Sequence, residues 1–194
     1  MRASAAPSMN ARSFLEWERD QKERHEYYRG EVFAMAGGSP RHNALCAAIL
    51  GELRIALRGT GCTVLSSDQR ISARDESHFV YADASAVCGT LELLAGTADV
   101  VTNPSVLVEV LSPSTAEYDR GIKWDSYQRL VSVKDFVLVS QDAERLEHYQ
   151  RMPDGSWSYR LLEGGGALQL SHGTPIRLSS IYEGVFELAG SLRA

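Results

Sequence analysis

Glu109 is the side chain in this sequence that most needs a physical explanation. It stands inside Val106-Leu107-Val108-Glu109-Val110-Leu111, a nearly continuous apolar run of the kind that forms a strand buried on both faces. Side chains alternate along a strand, so Leu107 and Leu111 share the face of Glu109 and mark it as interior. A carboxylate buried there without a partner is costly, or is driven to its neutral form. A cationic partner is therefore expected: a metal ion, a lysine or an arginine. The alternative is an edge strand with Glu109 in water. A second acid, Asp83, lies among small and apolar residues from Val80 to Val87. Alone it reads as a turn aspartate accepting backbone N–H groups. On a strand beside Glu109 it would complete a carboxylate pair suited to a hard divalent cation, which takes oxygen ligands.

Further candidates surround this pair. Lys123 falls on the helix that should follow the Glu109 strand. Tyr127 lies four residues on and Arg120 three residues before, so all three are expected on one helix face. Asp119 also stands one turn before Lys123, and a plain surface ion pair accounts for the lysine equally well. His42 lies in the first turn of another helix, where phosphate is attracted; a solvated histidine would look the same. Glu31 follows Gly30 at the start of an apolar strand. It reads as a further acidic ligand or helper base, or simply as a carboxylate in water.

These side chains need elements to hold them. Ala11–Gln21 reads as a short helix with Phe14, Leu15 and Trp17 on its apolar face. Two strands, His25–Arg29 and Glu31–Ala36, are joined tightly at Gly30. Ser39-Pro40 opens a helix with a capping serine and a first-turn proline, and Ala44, Leu45, Ala48, Ile49, Leu53, Ala56 and Leu57 recur at helical spacing. Gly59 and Gly61 end it. Short strands are expected at Thr63–Leu65, Gln69–Ala73 and Ser85–Val87. Ser114-Thr115-Ala116-Glu117 fits a capping box that starts a helix running to about Leu130. Asp135–Ser140 is a further strand. Arg145–Arg151 and Ser156–Leu162 form a hairpin around Asp154-Gly155, with Trp157 as a packing residue. The expected class is mixed α/β (α+β): a central sheet flanked by helices, with β-hairpins in the C-terminal part.

Composition bounds the rest. The 194 residues suit one domain. At 44% hydrophobic the chain can bury a core without disulfide staples. No apolar run approaches the ~18–20 residues of a membrane span. Residues 1–10 lack the apolar stretch of a secretory signal and read as a loose tail before a single domain, 11–194. Three cysteines, Cys46, Cys62 and Cys88, argue by their odd number against a disulfide framework, and point to a reducing, cytoplasmic setting. The five histidines show no zinc-ligand spacing. A net charge of −5 counts against tight non-specific binding to nucleic acid, though not against a local basic groove.

Asp83, then Glu109 in a hydrophobic strand, then a lysine resemble the PD-(D/E)xK nuclease superfamily. More narrowly, the chain resembles the restriction-endonuclease-like Uma2 family from about Ser13 to Glu187. The matching residues are Tyr28-Arg29-Gly30-Glu31, Arg41-His42-Asn43, Tyr81-Ala82-Asp83 with Val87-Cys88-Gly89, Glu109-Val110-Leu111-Ser112-Pro113-Ser114-Thr115, Tyr118-Asp119-Arg120-Gly121, and Lys123 with Tyr127. Two departures stand out. Ala82 replaces the proline common before the first aspartate. Leu111 stands where the superfamily places its lysine, which the resemblance moves to Lys123.

The resemblance implies a metal-dependent endonuclease acting on DNA. Asp83, Glu109 and the Val110 carbonyl would hold one Mg²⁺ or Mn²⁺. Lys123 and Glu31 would assist the chemistry, and His42, Arg120 and Tyr127 would contact substrate. A homodimer would suit cleavage of two strands. Two other functions fit the same pattern: a catalytically silent, dimeric binding or scaffolding module, and a metal phosphoesterase for small substrates.

Overall fold

The computed structural model describes residues 8–35 and 37–188. The chain opens with α1 (Ala11–Glu18), the hairpin of β1 (His25–Tyr28) and β2 (Glu31–Ala34), and the long helix α2 (Pro40–Ala56). Strands β3 (Cys62–Ser66), β4 (Arg70–Arg74), β5 (His78–Tyr81), β6 (Ala84–Cys88), β7 (Val100–Val101) and β8 (Val106–Val110) follow. A helical segment then runs through α3 (Ala116–Tyr118), a π-helical turn (Asp119–Lys123) and α4 (Trp124–Tyr127). Strands β9 (Asp135–Val139), β10 (Arg145–Arg151), β11 (Trp157–Glu163), β12 (Ala167–Leu168) and β13 (Ile176–Arg177) lead to α5 (Leu178–Tyr182).

The strands form a six-stranded sheet, β11-β10-β9-β8-β6-β3, a five-stranded sheet, β2-β1-β5-β4-β7, and a small β12-β13 ribbon. Strand β8 is central. It pairs parallel with β9 and antiparallel with β6. A parallel neighbour requires a crossover, and the helical segment from α3 to α4 is that crossover. The fold is the mixed α+β class expected from the sequence, with the β10–β11 hairpin on one flank.

Local chemistry explains the main elements. Ser39 caps α2 by accepting from the His42 N–H, and Pro40 occupies the first turn. The β1–β2 turn has two residues, Arg29 (φ 49°) and Gly30 (φ 98°), both left-handed as such a tight hairpin requires. Along β8, Val106, Val108 and Val110 pack toward Leu45, Ile49 and Leu53 of α2, whereas Leu107 enters a second cluster with Leu111, Tyr127, Phe136 and Leu138. Alternation therefore turns Glu109 toward α4. Trp157 packs edge-on against Trp124 at 4.9 Å.

Several expectations are corrected. The helix after Ser114 is shorter than expected and contains the π turn. The capping box does not form: Thr115 is the N-cap and makes no capping bond, while the Ser112 hydroxyl bonds those of Ser114 and Thr115. Helix α1 ends at Glu18, whose carboxylate folds in to bind the His25 backbone and ring. The expected tail is tied down at its end, because Met9 donates to the Gly30 carbonyl and Asn10 caps α1. Residues 1–7 of that tail, Ala36 of the expected strand and residues 189–194 of the expected domain lie outside the described residues. Cys62 and Cys88 form a disulfide. The β3–β6 register sets them directly opposite, a pairing that an odd cysteine count does not reveal. The cysteines thus give no argument for a reducing compartment. Among the described residues, no helix is long and apolar enough to cross a membrane.

Strand β5, not expected from the sequence, carries buried His78. Its Nδ1 lies 2.8 Å from the Ser126 hydroxyl and its Nε2 2.8 Å from the Tyr118 hydroxyl. This ring bolts the five-stranded sheet to the crossover helices. Burial, helped by the charges of Lys123 and Arg74, pushes His78 down from 6.5 to about 3. Unfolding therefore takes up a proton within that window. The stability due to neutral His78 is complete above pH 6.5 and is lost as the pH falls toward about 3. Replacing His78 with glutamine should lower stability at neutral pH. It should also reduce the acid slope of the urea-unfolding free energy by up to roughly 1.4 kcal/mol per pH unit. Identical slopes in the two proteins would refute this role.

Candidate active site

A cavity of about 570 Å³ opens where the two sheets meet. Its polar wall is assembled from distant segments: Glu26 from β1, His42 from α2, Asp83 from the link between β5 and β6, Glu109 from β8, and Asp119 and Lys123 from the π turn.

Asp83 sits where the chain leaves one sheet and enters the other. Strand β6 stops pairing with β8 at Ala84 opposite Val108. Beyond that point Asp83 Oδ2 accepts the Val110 N–H at 2.7 Å, supplying the acceptor the ladder no longer provides. The same oxygen lies 3.4 Å from His42 Nε2. Asp83 is thus a backbone-capping aspartate and a cavity carboxylate at once. Burial alone would raise its pKa, but the His42 hydrogen bond and charge, the Val110 N–H and Lys123 outweigh that and hold it below the ordinary value.

Glu109 is 2% exposed, and β8 lies between two strands, so the edge-strand alternative does not apply. Its Oε1 accepts from Lys123 Nζ at 3.0 Å and from the Tyr127 hydroxyl at 2.7 Å. The lysine is 4% exposed and also approaches Glu26 Oε1 at 3.1 Å and Asp119 Oδ1 at 3.4 Å. The Asp119–Lys123 pair is therefore buried, not a surface pair. Glu26 is fully buried. Its Oε1 accepts the Tyr81 N–H at 3.1 Å, and its Oε2 has no hydrogen-bond partner among the described residues.

Charge is unbalanced in this pocket. Burial raises Glu109 well above its ordinary value, with Asp119, Asp83 and Glu26 adding to the rise against the pull of Lys123. Burial likewise raises Glu26. Burial alone would lower Lys123, but Glu109, Glu26, Tyr127 and Asp119 drive it well above its ordinary value. Asp83 and its hydrogen bond raise His42. Four carboxylates thus share one lysine and one histidine. An unpartnered buried oxygen and excess negative charge on oxygen donors are the conditions that a hard divalent cation satisfies.

The remaining candidates fall in different places. His42 lines the cavity, and the Val110 backbone is part of the wall. Tyr127 is fully buried behind Glu109, so it holds that carboxylate and does not reach the cavity. Arg120 does not share the face of Lys123 and Tyr127. The π turn rotates it outward, where it binds Glu147 on β10. Glu31 is exposed at the hairpin turn and does not line the cavity. Glu26, unmarked in the sequence reading, occupies the third acidic position. Its signal was the one used for Glu109, an acid within a short strand of otherwise large side chains, but four residues are too few to display a buried face.

The sequence matches the Uma2 family, described as "Putative restriction endonuclease", over residues 11–183. Two uncharacterized proteins of Synechocystis sp. are similar along most of their length. One is 31% identical over 92% of this chain and 94% of its own. The other is 28% identical over 82% of this chain and 90% of its own. Among solved structures, a protein of Anabaena variabilis described as a "putative nuclease belonging to DUF820" superposes with a TM-score of 0.75, over 91% of this chain and 99% of that one. At 11% identity that likeness shows the shared fold.

Removing the lysine should expose its role in the cluster. Lys123→Met would leave Glu26, Glu109 and Asp119 without their ammonium, and is expected to destabilise the protein by about 3–5 kcal/mol at neutral pH. The loss should shrink in mild acid, because carboxylates whose folded pKa is raised contribute stability at low pH and lose it as the pH rises. Urea unfolding of both proteins at neutral and mildly acidic pH tests this. An unchanged difference would show that Lys123 is not the charge partner of the carboxylates.

Proposed function

The chain belongs to the Uma2 family, and on that premise we propose that it is a metal-dependent endonuclease hydrolysing phosphodiester bonds of DNA. The observation that carries this reading is the pair Asp83 and Glu109 at the wall of an open cavity, with Lys123 3.0 Å from Glu109. Asp83, Glu109 and the Val110 carbonyl would hold Mg²⁺ or Mn²⁺, with Glu26 alongside. Bound there, the ion would acidify a water and neutralise charge on the phosphate.

The chain's own groups divide the remaining work. Lys123 fixes Glu109 and Glu26, and its long side chain lets the ammonium swing toward charge developing on the phosphate. Tyr127 locks the orientation of Glu109. Glu26, with one free oxygen and a raised pKa, suits a base that takes the proton of the attacking water. It replaces Glu31 in that role. His42, whose pKa the Asp83 hydrogen bond raises, would offset phosphate charge when protonated.

Cleavage of supercoiled plasmid in Mg²⁺ and in Mn²⁺ tests the proposal. Wild type is expected to nick or linearise the plasmid, with loss on chelation. Asp83→Asn and Glu109→Gln should each lower the rate roughly 100-fold or more. Undiminished cleavage by Asp83→Asn would remove the mechanism. A silent module of the same fold has one observation in its favour, namely that carboxylates already surround the Lys123 ammonium. Absence of wild-type cleavage with either ion would select it, unless a small phosphodiester is turned over, which would select the phosphoesterase.

A further inference from the structure

One group of donors beside the cavity has a different chemistry from the carboxylate cluster. His42 and Cys46 lie four residues apart on one face of α2, and Asp83 faces them from the β5–β6 link. His42 Nε2 is 3.4 Å from Asp83 Oδ2, and His42 Nδ1 is 3.5 Å from Cys46 Sγ. One donor atom from each residue lies within 4.8 Å of the other two. All three side chains are half-buried, and Cys46 is the cysteine outside the disulfide. A Cβ on Gly38 would come within 2.7 Å of His42 Nδ1, so a side chain there would displace the ring.

We infer that His42, Cys46 and Asp83 form a binding site for a transition-metal ion of the Zn²⁺ type. A tetrahedral zinc with nitrogen, sulfur and oxygen ligands separates neighbouring donor atoms by about 3.4–3.6 Å. The three donor atoms, now within 4.8 Å of one another, would close to that spacing around an ion held by one ring nitrogen of His42. Three protein ligands would leave a fourth position for water, and His42 and Asp83 line the cavity. Mg²⁺ does not suit the site, because a thiolate and an imidazole select softer ions. Binding converts the Cys46 S–H to a sulfur–metal bond and releases one proton to solvent. Burial, with the Asp83 charge nearby, pushes the Cys46 thiol up. The histidine spacing along the chain hides this site, because the third ligand comes from another segment. Asp83 belongs to both donor sets, so an ion here excludes one at the oxygen position.

The assignment does not rest on nuclease activity, and its test uses no nucleic acid. Metal-stripped full-length protein is titrated with Co²⁺ and followed by absorption. Wild type is expected to show a thiolate-to-cobalt charge-transfer band in the near ultraviolet with intense tetrahedral visible bands. One equivalent of Zn²⁺ should abolish both. Cys46→Ser should lose the charge-transfer band, and His42→Gln should weaken cobalt binding at least tenfold, with circular dichroism of both variants unchanged. No charge-transfer band in wild type would overturn the site. A band that persists in Cys46→Ser would also overturn it, because the thiolate would then come from Cys62 or Cys88 after reduction of their disulfide.

Discussion

A lysine ammonium buried among carboxylates organises this molecule. Lys123 touches Glu109, Glu26 and Asp119, which come from β8, from β1 and from its own π turn. None of these charges is stable alone in an apolar interior. Each needs the others, so the six-stranded sheet, the five-stranded sheet and the crossover helices must arrive together. The π turn is the local accommodation: it turns both Asp119 and Lys123 inward and leaves Arg120 outside. Tyr127 and His78 reinforce the same junction with hydrogen bonds from uncharged side chains.

Asp83 shows how closely folding and chemistry are joined here. Its carboxylate finishes the β6–β8 edge by accepting the Val110 N–H, and the same oxygen lies beside His42 on the cavity wall. The link between the sheets is therefore a structural joint and the wall of the site. The Cys46 thiol beside the wall is a softer donor than the carboxylates, so the two sides of Asp83 would favour different ions. Such a site is asymmetric in a useful sense. One face is crowded with hard oxygens around an ammonium, and the other offers sulfur and nitrogen on a rigid helix.

The relation to known proteins has the same two levels. The Synechocystis relatives match along most of the chain, while the Anabaena structure keeps the fold at 11% identity. A sheet buried on both faces tolerates exchange among apolar side chains, provided alternation is kept.

Much of the scaffold was legible because periodic burial writes itself into sequence. The apolar run around Glu109, the Ser39-Pro40 start of α2 and the Arg29-Gly30 turn each encode their conformation locally. The demand of Glu109 for a cation was legible as well, since an acid within such a run cannot remain alone. What only the tertiary structure decided are facts about distance across the chain. Glu26 joins the cluster through sheet pairing, Glu31 is left at a solvent-facing turn, and Cys62 meets Cys88 through strand register. Arg120 leaves the lysine face because of one wide helical turn, which arises where buried charges must converge. Local sequence states which groups must be satisfied, and the packing of distant segments chooses the partners, because burial energies are settled only when those segments meet.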